Sequence, residues 1–116
     1  MEADCLFCKM VRGEIAVTPV FQNDSAIVIR DIAPKAPVHL LVIPRRHAKD
    51  MVSWSLEGPL SEWGEVMALS VQAATGSNLM GDGFRLVINT GGHGGQTVDH
   101  LHLHLLGGRP FSWPPG

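Results

Sequence analysis

The chain has little charge and no large surplus of either sign. Of its 116 residues, nine are Lys or Arg and eleven Asp or Glu, a formal net charge of −2. Without a basic surplus, binding to a nucleic-acid backbone is not expected. Long hydrophobic runs are also missing. The longest strictly apolar stretches are short, such as Ala26 to Ile29 and Leu40 to Ile43. Neither a membrane span nor a signal-peptide core fits them, so no membrane partner is expected. Glu2 and Asp4 stand where a secretory signal would need basic residues, and a cytoplasmic protein is the expectation. Cysteine is scarce, with two in the chain. In a reducing compartment they would be thiols or metal ligands, not a structural disulfide. Internal repeats and low-complexity tracts are absent. A hydrophobic fraction of 45% excludes a disordered chain and suits one domain over residues 1–116.

Leu6 to Arg12 carries a short helical stripe, ended by Gly13. Thr18 to Gln22 and Ala26 to Asp31 read as strands, with Asn23-Asp24 between them as a hairpin signal. Ala33 to Pro37 is a loop, because its prolines cannot sit in a central strand. Val38 to Ile43 is a strongly apolar strand closed by Pro44, and Met51 to Pro59 a connection. Leu60 to Ala74 reads as the long helix, with Leu60, Trp63, Met67, Val71 and Ala74 along its apolar stripe. Phe84 to Asn89 and Val98 to Leu106 are the last strands, followed by an extended tail. The expected fold is α+β: a largely antiparallel sheet of five or six strands, with one long and one short helix.

The most informative segment is Asp99-His100-Leu101-His102-Leu103-His104-Leu105-Leu106. Strand side chains alternate faces, so the three histidines point one way and Leu101, Leu103 and Leu105 the other. The leucines should enter the core. The histidines should line a polar, accessible surface, since imidazoles in a dry core would each need partners. Two functional readings follow. Neighbouring histidine Cα atoms on a strand are about 6.6 Å apart and the outer pair about 13 Å, so one metal could take two adjacent imidazoles but hardly three. A metal-dependent H-x-H hydrolase or oxygenase would then need a carboxylate or a distant histidine as well. Asp99 adjoins His100 and so faces the other way. Alternatively the middle imidazole is a nucleophile, a task suited to a group that is neutral near pH 7.

The approach to the strand favours the nucleophile. Gly91-Gly92-His93-Gly94-Gly95 is a loop of little bulk whose backbone N–H groups could turn toward an anion. Gln96 and Thr97 then lead into the histidines. A nucleotide-binding module without turnover remains the non-enzymatic alternative.

With these residues in view, the chain resembles the histidine-triad family, whose signature is His-φ-His-φ-His-φ-φ with φ apolar. His100 to Leu106 match it position for position. The resemblance extends to the Hint branch of nucleoside phosphoramidases. It runs through Phe7-Cys8-Lys9, Gly13-Glu14-Ile15, Asp31-Ile32-Ala33-Pro34, Ala36-Pro37-Val38-His39, Val42-Ile43-Pro44, Gly94-Gly95-Gln96, Gly107-Gly108-Arg109 and Trp113-Pro114-Pro115-Gly116. It implies a homodimer that binds purine nucleoside monophosphates and hydrolyses P–N bonds in adenosine 5′-phosphoramidates, with no cofactor required for catalysis. By position it implies His102 as nucleophile and His104 on the phosphate. His100 would orient the His102 ring through its backbone carbonyl, and His39 would support proton transfer from behind. Asn89, Gly95, Gln96 and Thr97 would hold phosphate oxygens, and Asp31 the ribose hydroxyls. Leu6, Phe7, Ile29 and Ile32 would pack on the base. Asp99 stands where many relatives have an aromatic residue, and Ala33 and Thr97 where serine is common; only Ala33 loses a hydroxyl.

Cys5-Leu6-Phe7-Cys8 is a C-x-x-C that by itself fits zinc, redox chemistry or buried thiols. No second C-x-x-C completes a four-thiolate site, and no strand precedes it as a redox motif would require. The resemblance to bacterial members implies structural zinc on Cys5, Cys8, His47 and His100, a closed Cys₂His₂ set. His93 reads as an exposed loop residue, Arg45-Arg46 and Lys49 as a solvated turn, and Trp54 and Trp63 as core or interface aromatics. Trp113, in the tail, could reach a partner subunit.

Overall fold

The structure, a computed structural model, describes residues 4–116. Three helices and five strands follow in the order α1 (Leu6–Val11), β1 (Phe21–Gln22), β2 (Ala26–Arg30), β3 (Val38–Pro44), α2 (Met51–Glu57), α3 (Leu60–Gly76), β4 (Phe84–Val87) and β5 (Leu103–Gly107). All strands pair antiparallel in one sheet, in the order β1-β2-β3-β5-β4. The α+β sheet expected from the sequence is therefore present. Its two faces are covered differently. On one, α2 and α3 pack Trp54, Val66, Leu69 and Ala73 onto Val28, Val42, Leu103 and Leu105. On the other, α1 sets Phe7 against Ile27, Ile29, Leu41 and Ile43.

The β1–β2 hairpin turns at Asn23, whose Oδ1 accepts from the Ser25 and Ala26 N–H groups at 2.9 and 3.0 Å. This is an Asx turn, which Asn makes readily. Gly76 allows β1 to close on α3, because a Cβ there would lie 2.4 Å from the Phe21 ring.

Several local expectations need correction. Residues 51–57 form a helix, not a connection: Asp50 caps it by accepting the Ser53 N–H at 2.9 Å, and Trp54 anchors it in the core. The buried stripe of α3 is Val66, Leu69, Ser70, Ala73 and Ala74, whereas Leu60 and Val71 lie outside it, 84% and 50% exposed. The apolar residues of this helix outnumber those its buried face takes up. The last strand starts at Leu103, not Val98, since the register with β3 ends at Val42–Leu103. Before that point the chain bonds elsewhere, the Leu101 N–H donating to the Ala48 carbonyl at 2.9 Å. The alternation survives without the ladder: Leu101, Leu103 and Leu105 all enter the α3 core.

Candidate active site

His100 and His102 precede β5 and His104 lies on it, all on the α1 side of the sheet. That face is less accessible than the alternation suggested. His100 is fully buried, and His102 and His39 nearly so. The cover is α1: the Phe7 ring meets those of His100 and His102 edge-on at 5.8 and 5.0 Å. Phe7 and Ile29 are thus core residues, while Leu6 and Ile32 stand exposed at the rim. Burial requires each imidazole to find partners, and those partners define each ring's tautomer.

His102 Nδ1 lies 2.8 Å from the His100 carbonyl. A carbonyl only accepts, so the proton sits on Nδ1 and the Nε2 lone pair is free. His100 has the opposite polarity. Its Nε2 lies 2.8 Å from the Pro44 carbonyl and donates to it, leaving the lone pair on Nδ1. Burial, above all, pushes the His100 pKa down to about 4, so this ring is neutral at pH 7.

The His100 Nδ1 lone pair points into a cluster. Cys5 Sγ, Cys8 Sγ and His47 Nδ1 lie 3.3, 3.5 and 3.1 Å from it, and Cys8 Sγ lies 3.3 Å from His47 Nδ1. All four ligand atoms fall within 4.8 Å of one another. A tetrahedral ion with bonds of about 2.0 Å to nitrogen and 2.3 Å to sulfur has edges of roughly 3.3 to 3.8 Å. The spacings and the donor set fit such an ion. The Pro44 carbonyl supplies the outer contact that fixes a histidine ligand's tautomer. The four residues singled out in the sequence come together here, and the cluster could hold a metal ion.

A second cluster lies beyond His104, where His39 Nε2 is 2.9 Å from His104 Nδ1 and 3.4 Å from Asp31 Oδ2. Two imidazoles and a carboxylate are a metal-binding set in principle, and Asp31 is the carboxylate that Asp99 could not be. The donors say otherwise. The Lys35 N–H donates to His39 Nδ1 at 3.0 Å, so the proton of a neutral His39 is on Nε2 and points into the cluster. Burial lowers the pKa of His39, which Asp31 opposes, and burial together with His102 and His39 lowers that of His104. Both rings are therefore neutral at pH 7. His39 Nε2–H then donates to His104 Nδ1, and His104 keeps its own proton on Nε2, as a donor. This corner holds a hydrogen-bonded chain of neutral imidazoles where the other could hold a metal. The Lys35 N–H and Pro44 carbonyl that fix these tautomers are backbone groups, with no signature in the sequence.

The glycine loop is built differently from the nest the sequence suggested. Its N–H groups at Gly95 and Gln96 donate within the loop, to Gly92 and Gly91, each at 3.1 Å. The Gln96 amide braces it, accepting from Gly91 N–H and donating to the Lys49 and Val98 carbonyls. Neither the Gln96 amide nor the Gly95 N–H is therefore available to a phosphate. Asn89 donates to the Gly95 carbonyl at 3.3 Å, with further bonding capacity left. Among the described residues, no hydrogen bond occupies the Thr97 N–H or hydroxyl. Thr97, Leu6, Cys5 and His47 share an open groove of about 510 Å³. A cleft of about 570 Å³ runs past Asp31 and His39 to Gly76 and is not lined by His102 or His104.

The HIT domain matches residues 12–111. The chain belongs to the HIT-domain family. An uncharacterized HIT-like protein of Synechococcus elongatus is 44% identical over the full length of both chains. The purine nucleoside phosphoramidase of Escherichia coli is 39% identical over 111 residues, 96% of this chain and 92% of that one. An adenylylsulfatase of Arabidopsis thaliana is 39% identical, covering 99% of this chain and 78% of the relative. The crystal structure of a HIT family hydrolase from Legionella pneumophila superposes with a TM-score of 0.89 at 41% identity, over 97% of this chain and 100% of the other. Among the described residues, no helix of this HIT protein is long and apolar enough to cross a membrane.

Proposed function

We propose that this protein hydrolyses the P–N bond of purine nucleoside 5′-phosphoramidates through a covalent nucleotidyl intermediate on His102. The observation that carries this is the 2.8 Å contact between His102 Nδ1 and the His100 carbonyl, which leaves Nε2 as the nucleophilic atom. The Nε2 lone pair attacks the α-phosphorus; the Nε2–P bond forms as the P–N bond breaks and the amine departs. Water then attacks phosphorus, the Nε2–P bond breaks, and the nucleoside monophosphate leaves. The proton the amine needs to leave comes from His104 Nε2, backed by His39; the water that then attacks phosphorus gives its oxygen to phosphorus and one hydrogen back to His104, and its second proton passes to solution, where the free amine becomes an ammonium. His104, with Nε2–H outward, donates to a phosphate oxygen, and Asn89 and Thr97 offer further donors. Asp31 receives the ribose hydroxyls, with Leu6 and Ile32 beside the base. The E. coli phosphoramidase, so similar over nearly the whole chain, supports this reading.

The cluster of Cys5, Cys8, His47 and His100 holds zinc in this account, tying α1 to the histidine strand, and the reaction draws on no cofactor. The working form is a cytoplasmic homodimer, supported by the edge position of β4 and the exposed Leu60 and Val71 on α3. Light scattering that gave a mass of 12.5 kDa at micromolar concentration would contradict the dimer. The direct test of the chemistry is mass spectrometry of protein quenched during turnover of an adenosine phosphoramidate. A nucleotide on the peptide carrying His102 is expected. Product formation with no adduct, at every quench time, would remove the covalent step.

A further inference from the structure

The two cysteines of the chain meet in one cluster but differ in access. Cys8 is fully buried. Cys5 is half-buried and borders the open groove it shares with Leu6, His47, Lys49 and Thr97. Cys5 caps α1 and Cys8 follows three residues on, its N–H donating to Cys5 Sγ at 3.4 Å. Their sulfurs lie within 4.8 Å of each other. Cα atoms one helical turn apart are about 5 Å from each other, inside the range of roughly 4.4–6.8 Å that a disulfide spans.

The same sulfurs tie α1 to the nucleophile. Cys5 and Cys8 Sγ lie 3.3 and 3.5 Å from His100 Nδ1. The His100 carbonyl holds His102 Nδ1 at 2.8 Å, and Phe7, between the two cysteines, covers both rings. Two links therefore join Cys5 to the reactive imidazole. A metal-held sulfur is a thiolate, the nucleophilic form of cysteine. A thiolate that faces an open groove, with a second behind it, is the arrangement of an oxidant-sensing pair: one sulfur reacts and the other resolves.

We infer that Cys5 and Cys8 are a peroxide-oxidisable pair, whose disulfide and metal-binding forms exclude each other, and that oxidation uncouples α1 from His100 and His102. The inference rests on the zinc reading above and adds its regulation. The Cys5 thiolate attacks a peroxide oxygen; the S–O bond forms, the O–O bond breaks and hydroxide leaves. The Cys8 thiolate then attacks Cys5 Sγ; the S–S bond forms, the S–O bond breaks and a second hydroxide leaves. Two electrons pass from the sulfurs to the peroxide, and two protons from solvent turn both hydroxides into water. The disulfide withdraws both anionic ligands and leaves the imidazoles of His47 and His100, half of a tetrahedral set. What still holds α1 is the apolar packing around Phe7.

The test treats reduced, zinc-loaded protein with hydrogen peroxide beside free cysteine. Free cysteine, with a pKa near 8.5, is about one-tenth thiolate at about pH 7.5, so Cys5 should react up to about tenfold faster. A chelating dye should show about one zinc per chain leaving in step with both thiols. Mass spectrometry should find a Cys5–Cys8 disulfide. The His102 ring signals in nitrogen-15 NMR should move, and turnover of an adenosine 5′-phosphoramidate should fall about tenfold or more. A dithiol reductant with added zinc should reverse all of these. Zinc and thiols that persist while the free cysteine is consumed would overturn the inference. So would zinc loss with cross-linked chains or sulfinic acids in place of the Cys5–Cys8 disulfide, or a disulfide that leaves the His102 signals and turnover unchanged. If the reduced protein takes up no zinc, the zinc reading fails and the inference with it. If it holds zinc but turns over no phosphoramidate, the hydrolase reading alone fails, and the zinc, disulfide and His102 readouts still decide the pair.

Discussion

The two ends of the histidine strand hold clusters of similar composition and opposite polarity. At one end, His100 donates Nε2–H to the Pro44 carbonyl and turns a lone pair toward Cys5, Cys8 and His47. At the other, His39 receives the Lys35 N–H on Nδ1 and turns a proton toward His104, near Asp31. A lone pair at the centre of four soft and borderline ligands suits a cation; an N–H there repels one. The lesson is that a count of metal-capable side chains does not identify a metal site. The backbone group behind each ring decides. His102 sits between the two ends, nearly buried, with its own proton tied to a carbonyl and its Nε2 lone pair directed away from that contact.

The largest effect should come from the residue between the clusters. His102→Ala should lower kcat by at least about a thousandfold, because the attacking atom is gone. Nucleotide affinity should change by no more than about 1–2 kcal/mol, the scale of one lost contact. Steady-state kinetics with equilibrium AMP binding separates the two. Retention of a tenth of the wild-type turnover would leave only about 1.4 kcal/mol of barrier at stake and would remove His102 as nucleophile.

The next pair of variants contrasts the clusters directly. Replacing Cys5 and Cys8 together by Ser should lower bound zinc to below about 0.1 per chain and the melting temperature by about 10 °C or more. Asp31→Asn should leave the zinc content unchanged. Elemental analysis reads both, and a parallel loss of metal from Asp31→Asn would break the contrast. A smaller effect is expected from the imidazole chain. His39→Ala removes the proton donor to His104 Nδ1 and should cost roughly ten- to a hundredfold in kcat, less than the loss of His102.

The smallest effect is on stability. His39 and His104 have folded pKa values below the unfolded value of about 6.5, chiefly through burial. Below that pH the unfolded chain binds more protons than the folded one, so the unfolding free energy falls as pH drops. Their contribution is complete above about pH 6.5 and is lost as pH falls toward their folded values. Denaturant titrations between about pH 5 and 7 should show this slope, and His39→Ala should flatten it.

Much of this was legible in the sequence because it rests on side-chain period and type. Strict alternation placed Leu101, Leu103 and Leu105 in the core, and the C-x-x-C with two histidines assembled as expected. What the sequence hid rests on backbone groups and on packing. The α2 helix escaped because seven residues carry too little periodicity, although Asp50 was its cap. The helix stripe was misplaced at Leu60 and Val71 because α3 has apolar residues on two faces and only one is covered within the chain. The burial of His100 and His102 under Phe7 depends on α1 folding across the sheet, which no local pattern encodes. The Gln96 backbone N–H, expected at a phosphate oxygen, donates instead to the Gly91 carbonyl of its own loop.

The assignment of roles depends on where four protons sit, and nitrogen-15 NMR of the histidine rings measures that directly. In zinc-loaded protein at pH 7.5, His39, His100 and His104 should each carry their proton on Nε2, and His102 alone on Nδ1. His39 should stand out by a bare Nδ1 coupled to the Lys35 amide. A His102 protonated on Nε2 would have no lone pair facing the substrate, and a His39 protonated on Nδ1 would make its cluster a metal site like the other. Either result would contradict the account.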